Sequence, residues 1–113
     1  MVTVKQLKST EEYNEMISKS SLSVIKIGAE WCVPCKIMRD RLSKLDALKT
    51  NDTSFAEIDA DDDEFVDIIE QLNVRSIPVI VYFKDGNLLK KSIGLIQEDD
   101  IYNTINELSN VGS

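Results

Sequence analysis

The sequence predicts an α/β domain built on a mixed sheet of five strands with helices on both faces. Apolar runs alternate with stretches of helical periodicity in the order βαβαβαββα. Strands separated by helices favour a parallel sheet with crossover helices on its faces. A turn signal at Asp85-Gly86 joins the last two strands as a hairpin, which adds an antiparallel edge. The 113 residues fit one compact domain spanning residues 1–113.

The first half of the chain contains two predicted strands and two predicted helices. Residues 2–5 predict a short strand. Ser9 and Glu12 form a capping-box pattern, which predicts that the first helix begins there. Residues 22–29 are mostly apolar and predict a buried strand. From residue 34 to about residue 49, apolar side chains recur at helical spacing and predict the second helix.

The second half contains the other three strands and two further helices. Residues 54–59 are mostly apolar and predict a strand. Residues 65–72 follow the i, i+3, i+4, i+7 pattern of an amphipathic helix. Residues 78–83 are the most apolar strand, and residues 88–93 are its hairpin partner. The last helix has three apolar side chains on one face, Ile101, Ile105 and Leu108.

Charge and composition argue against two classes of partner. Thirteen basic and twenty acidic side chains give a formal charge of −7, and a negative surface repels phosphate backbones. No apolar stretch approaches the roughly 20 residues of a membrane helix. Residues 1–8 lack the apolar core of a signal peptide. We therefore expect a cytoplasmic protein that binds neither nucleic acid nor membranes, and we expect it to be a monomer.

Both cysteines, the only tryptophan and one of the two prolines fall within the five residues Trp31-Cys32-Val33-Pro34-Cys35. This segment follows an apolar strand and precedes a helix. Two thiols separated by two residues at such a junction are typical of a thiol–disulfide redox site. No third cysteine exists with which either could pair, and two cysteines in a reducing cytosol are not a structural disulfide framework. The pair therefore predicts redox chemistry.

Four segments of the chain together carry a resemblance to a known family. They are residues 29–36 around the cysteines, the run Arg75-Ser76-Ile77-Pro78, residues 83–86 at the hairpin, and Ile93-Gly94. In this order and spacing they resemble the thioredoxins over almost the whole chain. The resemblance implies the thioredoxin fold and a cis bond before Pro78 that faces the disulfide. It also implies that Gly94 lines a substrate groove.

Reduction of a disulfide needs an attacking thiolate and a second thiol that releases the product from the mixed disulfide. Cys32 begins the helix, where unpaired backbone N–H groups and the helix dipole stabilise negative charge. These electrostatics lower the pKa of a cysteine, and thioredoxin is a known example. Cys32 is therefore predicted to be the nucleophile and Cys35, one turn further and more shielded, the resolving thiol. Pro34 suits the first turn, where its missing N–H would be unpaired anyway.

The resemblance also predicts how a substrate binds. A cis bond would bring the Ile77 backbone against the sulfurs, where it could hydrogen-bond an extended substrate as a transient strand. The alternative for Pro78 is a simple residue at a strand edge. Val33 stands where thioredoxins usually carry glycine, and we expect its bulk to narrow access to Cys32 and to shift the reduction potential. The predicted apolar surround of the disulfide comprises Trp31, Val33, Pro34, Ile77, Gly94 and Leu95.

Lys26 lies in the middle of the predicted central strand, both faces of which should be buried. Lysine is almost never fully buried unless it is paired. The resemblance places Glu57 at the matching position of the neighbouring strand, so the pair inverts the buried aspartate and lysine that thioredoxins typically carry. One hypothesis is that Glu57 supplies a carboxylate that moves the proton of Cys35, while Lys26 holds and orients that carboxylate. The alternative is a purely structural ion pair.

Two patterns that resemble metal sites are weak, and we expect no metal. Four acidic residues match positions 1, 3, 5 and 12 of a calcium loop: Asp59, Asp61, Asp63 and Glu70. Position 6, which requires glycine, is Glu64, and carboxylates before a helix are favourable with its dipole. Zinc needs four ligands, whereas this chain offers two thiols and no histidine, so only a dimer could complete the site.

The resemblance implies a protein-disulfide reductase that contributes to cell redox homeostasis. It needs no bound cofactor beyond the Cys32–Cys35 disulfide. Its electrons come from thioredoxin reductase, an NADPH-linked flavoprotein, and its substrates are disulfide-containing proteins. Oxidases and isomerases of this chemistry usually carry a histidine between the cysteines and are exported, but this chain has no histidine. The alternative from another class is a binding module that docks on a larger enzyme.

Overall fold

Within residues 4–48 and 52–110, which a computed structural model of the chain describes, four α-helices pack on a five-stranded mixed sheet. The elements in chain order are β1 Lys5–Gln6, α1 Thr10–Ile17, β2 Ser23–Gly28, α2 Val33–Leu48, β3 Ser54–Asp59, α3 Val66–Gln71, β4 Val79–Lys84, β5 Asn87–Ile93 and α4 Glu98–Ser109. A 3-10 turn, Asp63–Phe65, leads into α3. The strands lie in the order β1-β3-β2-β4-β5, so β2 is central, as predicted.

The direction of β4 differs from the prediction. β2 pairs in parallel with β3, and β1 pairs in parallel with β3, but β4 runs antiparallel to both β2 and β5. The expectation that only the final hairpin adds an antiparallel strand is therefore wrong. The six residues of α3 rise about 9 Å, whereas a six-residue strand spans roughly 20 Å. Since α3 is too short to carry the chain back along the sheet, β4 starts near the end at which β3 finishes.

The hydrophobic core has two parts, one on each face of the sheet, which confirms the prediction of helices on both faces. Ile25 and Ile27 of β2 pack with α1 and α3 on one face, and Val24 packs with α2 and α4 on the other. Because side chains alternate along a strand, Lys26 lies on the same face as Val24, towards α2. Lys26 therefore lies on the face of the sheet that packs against α2, the helix with the cysteine pair.

Most predicted boundaries are confirmed to within a residue or two. The cap of α1 is made by Ser9 Oγ, which accepts a hydrogen bond from the Glu12 N–H at 3.2 Å. β3 has the predicted bounds, and α2 starts one residue before the predicted residue 34. β1 begins later than predicted, at Lys5, while residues 2 and 3 of that predicted strand lie outside the described residues. The predicted end of α2 at residue 49 also lies outside them.

Candidate active site

The two cysteines lie where the chain leaves β2 and enters α2. Cys32 directly precedes the helix and Cys35 lies in its first turn. The two are joined by a disulfide, with their Cα atoms 5.2 Å apart. Cys32 is 5% exposed and Cys35 is 1% exposed. The Cys35 backbone N–H donates to Cys32 Sγ at 3.3 Å, so a donor of the first turn points at the sulfur predicted to be the nucleophile.

The tryptophan before the cysteines is a surface residue. Trp31 is 70% exposed, and its indole N–H donates to Asp61 Oδ2 at 2.8 Å. Asp61 lies in the loop after β3, so this hydrogen bond ties that loop to the segment that carries the disulfide. Val33 and Pro34, on the other side of Cys32, are exposed as well. The segment thus presents an apolar surface beside the disulfide.

The loop before β4 closes the other side of the disulfide. The Ile77–Pro78 peptide bond is cis, and Ile77 packs against the cluster of Ala29 and the two cysteines. The Gly94 N–H donates to the Pro78 carbonyl oxygen at 2.8 Å, which ties the end of β5 to this loop. Gly94 has a φ of 86°, a conformation that favours glycine. Leu95, the next residue, is exposed.

A buried cluster of charges lies beneath the disulfide. Lys26 is 2% exposed and Glu57 is 5% exposed, and the two are aligned in the register of β2 and β3. Lys26 Nζ lies 2.8 Å from Glu57 Oε1, and Arg39 Nε of α2 lies 3.0 Å from the same oxygen. Arg39 also reaches the exposed Glu30 at 3.6 Å. Burial alone would lower the pKa of Arg39, but the hydrogen bonds and charges of Glu57 and, to a smaller extent, Glu30 outweigh it, so this pKa is raised.

The contact between this cluster and the cysteines is made by the lysine. Lys26 Nζ donates to the backbone carbonyl oxygen of Cys35 at 3.2 Å. The Glu57 carboxylate pairs with two cations, Lys26 and Arg39. The predicted pairing of Lys26 with Glu57 is therefore confirmed. Whether Glu57 moves the proton of Cys35 stays a prediction.

Comparison with known proteins gives consistent matches along the chain. The family model described as Thioredoxin matches residues 3–107. The chain belongs to the thioredoxin family. It is 34% identical to a thioredoxin of Chlamydia caviae over 101 residues, which are 89% of this chain and 95% of that one. It is 33% identical to thioredoxin-2 of Saccharomyces cerevisiae, over 80% of this chain and 86% of the relative.

A solved structure supports the same assignment. The oxidised form of mitochondrial thioredoxin 3 from Saccharomyces cerevisiae superimposes with a TM-score of 0.78 at 31% sequence identity, covering 93% of this chain and 95% of that one. The mixed sheet and its helices are thus the thioredoxin fold that the sequence predicts. The protein is a thiol–disulfide oxidoreductase of this family with reductase function, and Cys32–Cys35 is its redox-active disulfide.

Three features of the site were not found from the sequence. Arg39 is the first, although its spacing of four residues from Cys35 places both on one face of α2 and could have signalled it. Asp61 is the second, because nothing in a run of acidic residues singles out the partner of Trp31. The third is the close packing of Gly28, whose missing side chain leaves room for the Cys35 sulfur.

The acidic residues that resemble a calcium loop have other roles in the structure. Asp59 Oδ1 accepts a hydrogen bond from the Asp61 N–H at 2.9 Å, and Asp61 Oδ2 accepts the one from the Trp31 indole at 2.8 Å. In residues 4–48 and 52–110, no group of three or more potential ligands is placed to hold a metal ion. In the same part of the chain, none of the helices combines the length and apolar character needed to cross a bilayer.

Proposed function

We propose that this thioredoxin-family protein reduces protein disulfides with Cys32 as the attacking thiol and Cys35 as the resolving thiol. The observation that carries the proposal is the hydrogen bond from the Cys35 N–H to Cys32 Sγ at 3.3 Å. A backbone donor aimed at this sulfur favours negative charge on it, and a thiolate is the attacking species. The lower exposure of Cys35 suits a thiol that reacts only with its neighbour.

The reaction is two successive exchanges. The Cys32 thiolate attacks one sulfur of the substrate disulfide, the substrate S–S bond breaks, and one substrate thiolate leaves. The product is a mixed disulfide between Cys32 and the other substrate sulfur. The Cys35 thiolate then attacks Cys32 Sγ, and the second substrate thiolate leaves. Two electrons have passed to the substrate, both released thiolates take protons from water, and the Cys32–Cys35 disulfide has formed.

The substrate groove is assigned to the apolar residues around the disulfide. An extended substrate segment lies beside Ile77, whose backbone hydrogen-bonds it in the manner of an added strand. Support comes from the packing of Ile77 against the cysteines and from the link between Gly94 and Pro78. The exposed apolar side chains supply the contact area, namely Trp31, Val33, Pro34 and Leu95. Pro78, itself buried, supports the loop from below.

The partners and compartment follow from the same chemistry. Because each turnover leaves the protein oxidised, an external dithiol must restore it, and we assign this step to thioredoxin reductase, an NADPH-linked flavoprotein. No bound cofactor is needed, since the protein stores the electron pair in its own two sulfurs. The protein works as a monomer in the cytoplasm, a reducing compartment in which protein disulfides are kept transient. Through this cycle the protein transfers electrons from the reductase to protein disulfides and so contributes to cell redox homeostasis.

Insulin reduction tests the proposal. Wild type should precipitate reduced insulin in the presence of dithiothreitol, and Cys32→Ser should be inactive because no attacking thiolate remains. Cys35→Ser should form the mixed disulfide and release it slowly, which mass spectrometry detects as a covalent adduct. If wild type and Cys35→Ser show equal activity near zero and no adduct forms, the binding-module alternative is favoured.

A further inference from the structure

A buried ammonium group faces the resolving cysteine from the centre of the sheet. Lys26 Nζ donates to the Cys35 carbonyl oxygen at 3.2 Å and is 2.8 Å from Glu57 Oε1. We propose that the positive charge of Lys26 stabilises the Cys35 thiolate that resolves the mixed disulfide. Lys26 is then a positioning residue for the redox reaction. This inference rests on the proposed function, in which Cys35 is the resolving thiol.

The packing at Gly28 brings the lysine and the sulfur together. The point at which a Cβ of residue 28 would lie is 2.8 Å from Cys35 Sγ and 3.4 Å from Lys26 Cε. The end of the lysine side chain and the sulfur therefore border the same small space. Any side chain at position 28 would fill that space. Without one, no side chain of residue 28 separates the end of Lys26 from the sulfur, so the charge of the ammonium acts on the sulfur over a short distance.

Lys26 is the most deeply buried charge beside Cys35. Two cations, Lys26 and Arg39, share one oxygen of a single buried carboxylate, Glu57. Arg39 is half-buried and also pairs with the exposed Glu30 at 3.6 Å, so Lys26 is the cation of this cluster that is fully withdrawn from water. Two other carboxylates, Glu30 and Asp59, line a cavity of about 10 Å³ together with Lys26 and Glu57, but Glu30 is exposed and Asp59 is half-buried. Water screens such groups more than it screens the buried lysine.

The role in the reaction is electrostatic. In the mixed disulfide, Cys32 is bonded to the substrate and Cys35 is the only free thiol of the protein. Its proton goes to water, and the resulting thiolate attacks Cys32 Sγ. An opposite charge within about 4–6 Å lowers the free energy of the ionised form of a titratable group. Lys26 thus increases the fraction of Cys35 that is ready to attack.

The alternative hypothesis, here called the relay, is that the Glu57 carboxylate moves the proton of Cys35. The two hypotheses predict opposite effects of the same two substitutions. If Lys26 stabilises the thiolate, Lys26→Met slows resolution at neutral pH, whereas Glu57→Gln removes a negative charge and leaves resolution equal or faster. If Glu57 moves the proton, Glu57→Gln is the slow variant. Glutamine keeps an oxygen that can accept the hydrogen bonds of Lys26 and Arg39, so this substitution changes charge with little change of shape.

Stopped-flow release of thionitrobenzoate measures the step directly. The Cys32 mixed disulfide is made from the reduced protein, and the coloured thiolate that Cys35 expels is followed between about pH 5 and pH 10. The variants are Lys26→Met and Glu57→Gln. Lys44→Met is the matched control, because Lys44 is an exposed lysine of α2. Thermal unfolding establishes that each variant is folded.

We expect the midpoint of the pH–rate profile to rise by about one unit in Lys26→Met. The thiolate fraction then falls about tenfold near neutral pH, while the higher basicity of the remaining thiolate raises its reactivity about threefold. Resolution should therefore be about threefold slower at neutral pH, with an equal or higher plateau at high pH. Lys44→Met should keep the profile of the wild type. Equilibration with glutathione should show a smaller dithiol fraction in Lys26→Met.

The outcomes separate this inference from the proposed function. If Lys26→Met resolves the mixed disulfide at the rate of the wild type and the midpoint of its pH–rate profile is unchanged, the role of Lys26 is overturned. The proposed function is then unaffected. Slower resolution in Glu57→Gln also overturns it and supports the relay. If Lys26→Met does not fold, Glu57→Gln decides alone, since an equal or faster rate supports the inference. Wild type that releases no more thionitrobenzoate than Cys35→Ser overturns both proposals.

Discussion

Gly28 lies so close to Cys35 that no side chain fits between them. A Cβ at residue 28 would be 2.8 Å from Cys35 Sγ and 2.9 Å from Cys35 Cβ, closer than such atoms approach in proteins. The last residue of β2 and the first turn of α2 therefore pack backbone against side chain. Because the resolving sulfur occupies the space that a side chain would need, any larger residue at this position must shift Cys35.

Substitution of Gly28 by alanine should destabilise the protein by about 1–3 kcal/mol, the usual cost of overpacking a well-filled core. The free energy of unfolding is measured by urea denaturation of the oxidised protein. The matched background is Cys35→Ala, which lacks the sulfur, so there the alanine at position 28 should cost less. Equal costs in the two backgrounds would show that the contact with the sulfur is not the source of the effect.

The hydrogen bond between Trp31 and Asp61 should matter more for activity than for stability. Because it lies at the surface, we expect Asp61→Ala to change the free energy of unfolding by less than about 1 kcal/mol. The indole should become more mobile beside the disulfide, and insulin reduction should fall a few-fold. Fluorescence reports the change directly, because Trp31 is the only tryptophan. Asp40→Ala, which removes an exposed charge from α2, is the control; an equal loss of activity there would contradict the prediction.

The cap of α1 should make stability depend on pH in the acid range. The Lys8 backbone N–H donates to Glu12 Oε1 at 2.7 Å and lowers the pKa of Glu12 below its ordinary 4.5, with the charge of Lys5 acting in the same direction. A carboxyl whose pKa is lower in the folded state stabilises the fold above its unfolded-state value. That contribution is lost as the pH falls through the folded-state value.

Glu12→Gln tests this linkage. We expect the variant to be less stable than the wild type near neutral pH, and the gap to shrink as the pH falls below 4.5. Urea denaturation at a series of pH values measures both proteins under the same conditions. A gap that persists unchanged into strong acid would mean that the carboxylate charge contributes nothing and that only the geometry of the cap matters.

Most of the fold could be predicted from the sequence because most helices and strands have signals in their own residues. Ser9 and Glu12 mark a helix start through their own hydrogen bonds, and residues 54–59 form a strand with the predicted bounds. The direction of β4 was missed for a physical reason. Alternation of strands and helices indicates parallel pairing only when the connecting helix is long enough to return the chain, and α3 has only six residues.

The sequence predicted those parts of the site that depend on residues close together in the chain. The Cys32–Cys35 spacing and the helix start are local features, so the redox pair could be found from the sequence. The pairing of Lys26 with Glu57 needed the register of two strands, which the resemblance supplied. The contacts of Arg39 with Glu57 and of Trp31 with Asp61 join separate elements through side-chain orientation, which neither periodicity nor spacing specifies.

Removing one charge from the buried cluster should lower the free energy of unfolding more than removing an oppositely charged pair. Glu57→Leu leaves Lys26 buried without its carboxylate, and breaking a buried pair in this way costs about 3–5 kcal/mol. The double variant Lys26→Met and Glu57→Leu replaces the pair by apolar groups of similar volume. It should recover most of the loss, because neither charge then has to be taken out of water.

Urea denaturation of the wild type, the two single variants and the double variant gives the coupling free energy between the two positions. Glu30→Leu is the control, since this carboxylate also reaches Arg39 but is exposed, and its removal should cost less than about 1 kcal/mol. Arg39 lies at the edge of the cluster and can turn its guanidinium to water in the double variant. If the double variant is as unstable as Glu57→Leu, the hydrogen bond from Lys26 to Cys35, not the ion pair, holds this part of the fold together.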